Sequence, residues 1–125
     1  MHRTARLYFC LITLGLISTL QAQDTSWYQW GGPNRDHKSL ETGLLKSWPA
    51  GGPQKVWEFT DAGVGYSSFS VKQGRLYTLG LVDGQNQVIC LDSSNGSLVW
   101  RYPMGEALPE SSYNQGWAGG PRSTP

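Results

Sequence analysis

The stretch Cys90-Leu-Asp-Ser-Ser-Asn-Gly-Ser-Leu-Val-Trp100 decides the fold. Just before and into it, Gln87-Val-Ile-Cys-Leu91 is a short apolar and β-branched run, the composition of an extended strand bounded by turn residues. Asp92 to Gly96 is turn chemistry. Aspartate and asparagine bond their own backbone two residues on, and Asn95-Gly96 tolerates the positive φ of a short connection. Ser97 to Tyr102 is a second extended run that ends in large aromatics. The spacing predicts a hairpin with strands over 87–91 and 97–102.

Two further strands are predicted upstream. Ser67 to Val71 is closed by the Lys72-Gln-Gly74 turn, and Arg75 to Leu81 carries apolar groups on both of its faces. Strands apolar on both faces belong to a sheet that is covered on both sides. The rest of the composition agrees. With 16 Gly, 7 Pro and 6 Trp in 125 residues, and almost no helical periodicity, the chain reads as all-β. It also holds a partial repeat, in which Val56-Trp57-Glu-Phe59 matches Val99-Trp100-Arg-Tyr102 at a spacing of 43 residues. That is the length of one four-stranded unit.

Small residue, x, Asp, three residues, Gly, three residues, Trp is the order over Cys90 to Trp100. It resembles the tryptophan-docking repeat of PQQ-like (pyrroloquinoline-quinone repeat) β-propellers. The resemblance implies a structural motif of Cys90, Asp92, Gly96 and Trp100, with Trp57 as the equivalent of Trp100. In it the aspartate hydrogen-bonds around the turn and each tryptophan lies flat between neighbouring blades. Cys90 stands where the motif has a small apolar residue. The plainer alternative is an ordinary hairpin with a buried tryptophan. Trp27-Tyr-Gln-Trp-Gly-Gly-Pro-Asn-Arg-Asp36, Glu41-Thr-Gly-Leu-Leu45 and Trp48-Pro49 are similar to the entry segment of secreted members, which wraps over the ring. The family tends to carry Arg at the position of Gly31 and Gly at that of His37.

The expected layout is a signal peptide over 1–22, a wrapping segment over 23–53 and propeller repeats over 54–125. Within the repeats, the expectation is an outer strand around Lys55–Thr60, a whole blade over about 67–102, and the opening of another at Pro121–Pro125. The Lys55–Thr60 strand would complete the last blade of a closed ring rather than pair with the blade that follows it. One blade cannot bury both of its faces alone, and closure of the ring protects sheet edges. The chain therefore reads as the N-terminal piece of a longer protein, whose remaining blades are its partners. The alternative is a short protein that builds its ring from several copies.

Arg3 and Arg6, the apolar run Leu7 to Leu20, and Leu20-Gln-Ala22 ahead of Gln23 are the marks of an export signal. They predict a periplasmic or secreted protein with no membrane span after cleavage; the rival is an uncleaved anchor. Without Arg3 and Arg6 eight basic residues face nine acidic ones, and none cluster, so neither nucleic acid nor an anionic membrane is an indicated partner. Cys10 leaves with the signal, and Cys90 stays unpaired as packing. His37 is then the last histidine, too little for a metal cluster. Gly31-Gly-Pro-Asn-Arg35 is not a phosphate cradle, because Pro33 lacks the N–H and no Gly-Lys-Ser/Thr follows. Asn95-Gly-Ser97 fits the glycosylation sequon, although the turn already accounts for Asn95 and Gly96.

Two functions are open at this point. One is a non-catalytic exported platform that binds a protein or ligand. The other is the front of a quinoprotein dehydrogenase, for which the resemblance implies PQQ and calcium in the parent protein. No catalytic residue, metal ligand or cofactor is assigned within this chain. The loops Asp61–Gly65, Val82–Asn86 and Pro103–Gly120 should emerge at one end of the blade, opposite the turns at 72–74 and 92–96. The long loop carries Glu106, Glu110, Tyr113, Asn114 and Trp117, and Arg122 follows it. Trp117 and Arg122 are the candidate binding-face residues, since long loops on rigid scaffolds carry function disproportionately.

Overall fold

The computed structural model describes residues 26–112 and 119–125. The expected signal peptide and the loop residues Tyr113, Asn114 and Trp117 lie outside them. The chain is all-β. Strands β1 (Phe69–Lys72), β2 (Arg75–Val82), β3 (Gln85–Asp92) and β4 (Leu98–Glu106) form one antiparallel sheet in the order β1-β2-β3-β4. A 3₁₀ turn follows at Glu110–Ser112, and there is no α-helix among the described residues. None of them forms a helix long and apolar enough to cross a membrane.

Two-residue turns set the register. Gln73-Gly74 and Asp83-Gly84 both take positive φ at both positions, so Lys72 faces Arg75 and Val82 faces Gln85. That pair of conformations matches the twist of the flanking strands. The Asp83-Gly84 turn is tighter than the expected Val82–Asn86 loop, and the β2–β3 ladder gains length from it. The longer β3 in turn offers β4 partners as far as Gln85↔Glu106. Residues 103–106, expected in the long loop, are therefore strand.

The segment expected as an outer strand, Lys55–Thr60, is unpaired, its expected partner being the last blade of the ring. Residues 55–60 have no ladder partner among the described residues, and a strand exists only where its backbone groups are paired. Val64 instead makes a two-bond bridge with Leu81, extending the line of β1 along β2 (Val64 N to Leu81 O 3.0 Å, Leu81 N to Val64 O 2.8 Å). The outer side of that line is covered at two points. Val71 N donates to Trp27 O at 2.7 Å, and Tyr66 N donates to Pro121 O at 2.9 Å. The opposite edge, β4, has no strand beside it among the described residues.

The core is thin and lies on both sides of β3. Ile89 and Cys90 are consecutive, so they point to opposite faces, yet they are 0% and 1% exposed. Leu79 and Leu91 complete the buried apolar set. Towards β4 the burial ends. Trp100 is 43% exposed and Tyr102 68%, and Leu98, Val99 and Met104 are exposed with them.

Gly80 lets the entering segment close onto the sheet. A Cβ there would lie 1.6 Å from the carbonyl oxygen of Ala62, backbone that cannot swing aside as a side chain would. Gly80→Ala is therefore expected to cost about 1–3 kcal/mol, as overpacking does. Thermal melting checks the cost, and faster hydrogen exchange at the Val64 and Leu81 amides checks its origin. An unchanged melt would show that the segment does not pack there.

Candidate functional site: a turn that seats an indole

Five residues, Ser93 to Ser97, connect β3 to β4, and Asp92 at the end of β3 organises the turn they make. Asp92 N donates to Ser97 O at 2.9 Å, and Gly96 N donates back to Asp92 O at 2.8 Å. The Asp92 carboxylate accepts from the Ser94 amide at 3.0 Å and from the Ser94 hydroxyl. Ser97 N donates to Asn95 Oδ1 at 2.9 Å, a second side chain that imitates a backbone turn. Only Gly96, at φ 73°, takes the left-handed conformation; Asn95 does not.

Arg75 holds the turn from the next hairpin. The register sets Arg75 opposite Asp92, and its Nη1 lies 2.7 Å from Asp92 Oδ2. Ser93 N also donates to Gly74 O at 3.1 Å, so the two turns at this end of the sheet are tied together. The Ser94 hydroxyl, then the Ser94 amide and more weakly Arg75, hold the Asp92 carboxyl below the ordinary aspartate range. Burial pushes the Cys90 thiol up, outweighing the opposing charge of Arg75. The thiol is thus kept from its nucleophilic, ionised form.

Trp57 lies on this turn. Its Nε1–H donates to Ser93 O at 3.0 Å, across 36 residues of sequence. Its ring rests where a side chain at position 96 would stand, since a Cβ on Gly96 would fall 2.4 Å from Trp57 Cε3. The structure thus brings Trp57, Asp92 and Gly96 to one place. Trp100 stands on the sheet beside Cys90, its cross-strand partner, with its ring 6.1 Å from that of Tyr77. Sequence reasoning named Trp57 and Gly96 but missed Arg75. Its signal was positional: a basic residue directly after the Gln73-Gly74 turn must face the residue that ends β3.

The other end of the sheet gathers the Asp61–Gly65 segment, the Asp83-Gly84 turn and the start of the long loop, where Ala107 N donates to Gly84 O at 3.1 Å. Arg122 lies with its guanidinium 5.5 Å from the centre of the Tyr66 ring. Trp117 is outside the described residues. A cleft of about 460 Å³ opens beside β1, lined by Trp27, Glu41, Phe69 and Val71 among others. No group of three or more His, Cys, Asp and Glu residues able to hold a metal assembles among the described residues. The glycine-rich Gly31–Arg35 segment is a closed loop. The amides of Gly32, Arg35 and His37 donate to the carbonyls of Gln29, Gly32 and Gly31, and His37 sits edge-on to Trp30 at 4.5 Å. Those amides are not free to cradle a phosphate.

Gly96→Ala should both strain the turn and unseat the indole. The left-handed conformation alone costs a non-glycine residue about 1–2 kcal/mol. The full effect should exceed that figure in the wild type and shrink toward it in a Trp57→Ala background, as a double-mutant cycle by chemical denaturation would measure. Equal costs in both backgrounds would mean that indole and glycine do not touch.

Asp92 has a pH signature. Its folded pKa lies below its unfolded one, so its contribution is complete above ~3.9 and is lost as pH falls through the lower folded value. Asp92→Asn is expected to melt below the wild type at neutral pH, and the gap should close in strong acid. A gap that persists in acid would assign the effect to shape rather than charge.

Comparison with protein families, with curated proteins and with solved structures finds no match in any of the three.

Proposed function

We propose that this chain is part of an exported PQQ-like β-propeller that serves as a non-catalytic platform for binding a protein or ligand. The observation that carries the proposal is the seat of Trp57 on Gly96. A tryptophan 43 residues ahead of Trp100, in the same Val-Trp-x-aromatic setting, lies flat against the turn of a four-stranded antiparallel unit. Trp100 repeats the sequence of Trp57 but not its cover, for it is 43% exposed. A further unit beside β4 would cover it in the same way, together with Tyr102 and Met104. The remaining blades are thus the first partners proposed, and the loop end with Arg122 is the proposed binding face.

The dehydrogenase alternative has no observation of its own in its favour. Tryptophan docking is a packing device and says nothing about redox chemistry. Among the described residues Cys90 is the one cysteine, and no three His, Cys, Asp or Glu residues gather to hold a metal.

Two measurements test the proposal. In the protein extended by further repeats, Trp100→Ala is expected to cost about 3–5 kcal/mol, the range for a buried tryptophan. An unchanged denaturation midpoint would reject the docking of a neighbouring blade. Equilibrium dialysis of this chain against PQQ with calcium is expected to give no stoichiometric binding at micromolar concentrations. Binding at one equivalent would move the assignment to the dehydrogenase.

A further inference from the structure

Asn95 is exposed at the tip of the turn and is followed by the one residue type that does not shield its own backbone nitrogen. Asparagine before glycine is chemically unstable for that reason. The glycine nitrogen can reach the asparagine side-chain carbonyl without a Cβ in the way, and glycine supplies the backbone freedom to get there. Gly96 N would bond to Asn95 Cγ and close a five-membered succinimide. Asn95 Nδ2 would leave as ammonia, carrying the proton that Gly96 N gives up. Water would then open the ring at either carbonyl, giving aspartate, or isoaspartate with the main chain rerouted through the side chain.

The folded turn opposes each part of this step. The N–H that must be lost is already bonded to Asp92 O at 2.8 Å. The side chain that must rotate onto Gly96 is held by Ser97 N at 2.9 Å. The ring of Trp57 rests against Gly96, with Cε3 only 2.4 Å from where a Cβ would stand, so movement of Gly96 disturbs the seated indole. Ring closure thus requires the turn to open and the indole to lift.

We propose that Asn95 is a deamidation site gated by the docking of Trp57. While the indole is seated, Asn95 persists. Once it is unseated, the succinimide forms, and the isoaspartate product, with one more atom in the backbone, no longer presents Gly96 and Ser93 O in the spacing Trp57 needs. The modification is then a one-way release of the segment that carries Trp57. The inference rests on the turn geometry alone and is independent of the propeller assignment.

The test is the rate of Asn95 deamidation in the full chain, followed by peptide mass mapping with separation of aspartate from isoaspartate. The rate in native buffer is expected to be about tenfold below that in denaturant, as for any reaction that requires local opening. Trp57→Ala in native buffer should move the rate toward the denatured value. Trp57→Phe, which keeps a ring on Gly96 but loses the bond to Ser93, should fall between the two. The isoaspartate form should lose the Trp57 indole N–H signal seen by NMR in the native chain. Asn95→Asp, which carries the new charge on an ordinary backbone, should keep it. Equal rates in native buffer and denaturant, a wild-type rate in Trp57→Ala, or an isoaspartate form with the indole signal intact would each overturn the proposal.

Discussion

The contact between the Trp57 ring and Gly96 is the constraint on which the arrangement of this chain depends. An indole can lie against a backbone only where no Cβ intervenes, and it satisfies its N–H only where a carbonyl faces it. The Asp92–Gly96 turn supplies both, through Gly96 and the carbonyl of Ser93. The turn keeps that shape because Asp92 bonds to Ser94 within it and to Arg75 outside it. One interaction thus connects residues before the sheet to the β3–β4 connection, while the bridge at Val64 fixes the same segment to β2. Trp57 lies between the N-terminal segment and the sheet, and its loss would leave that segment held mainly by its contacts along the line of β1.

Much of this was legible in the sequence where local chemistry decides. Residues 67–102 declare four strands by composition, and the glycines of Gln73-Gly74 and Asp83-Gly84 mark two of the three connections. Asp92, Gly96 and Trp57 were named through the resemblance and the 43-residue repeat, which did not say that the Trp57 indole would seat on the turn. What stayed hidden was relational. Residues 55–60 have the β-branched and aromatic content of a strand, yet pairing needs a partner that composition does not supply. The reach of β4 to Glu106 followed from how tight the preceding turn was, a fact about register rather than propensity. The need for glycine at position 80 is likewise relational, since it comes from the Ala62 carbonyl lying against β2.

The distribution of burial bears on what the fold is for. A sheet whose central strand is covered on both faces, but whose last strand exposes Trp100, Tyr102 and Met104, is graded from one edge to the other. Its β1 edge is met by the segments at Trp27 and Pro121, and its β4 edge meets nothing among the described residues. An open apolar edge is a liability in an isolated domain and an asset where another sheet is to be received. The turn end is committed to internal bonding through Asp92, Ser93 and Arg75. At the opposite end the chain leaves β4 into the long loop, and Arg122 meets Tyr66.

The most direct measurement is hydrogen exchange of the Trp57 indole N–H by NMR, with its through-space contacts recorded in the same spectra. The account requires slow exchange, because the proton is bonded to Ser93 O, and a cross-peak from the indole ring to the Gly96 Hα protons. Exchange at the rate of a free indole, with no contact to Gly96, would contradict it.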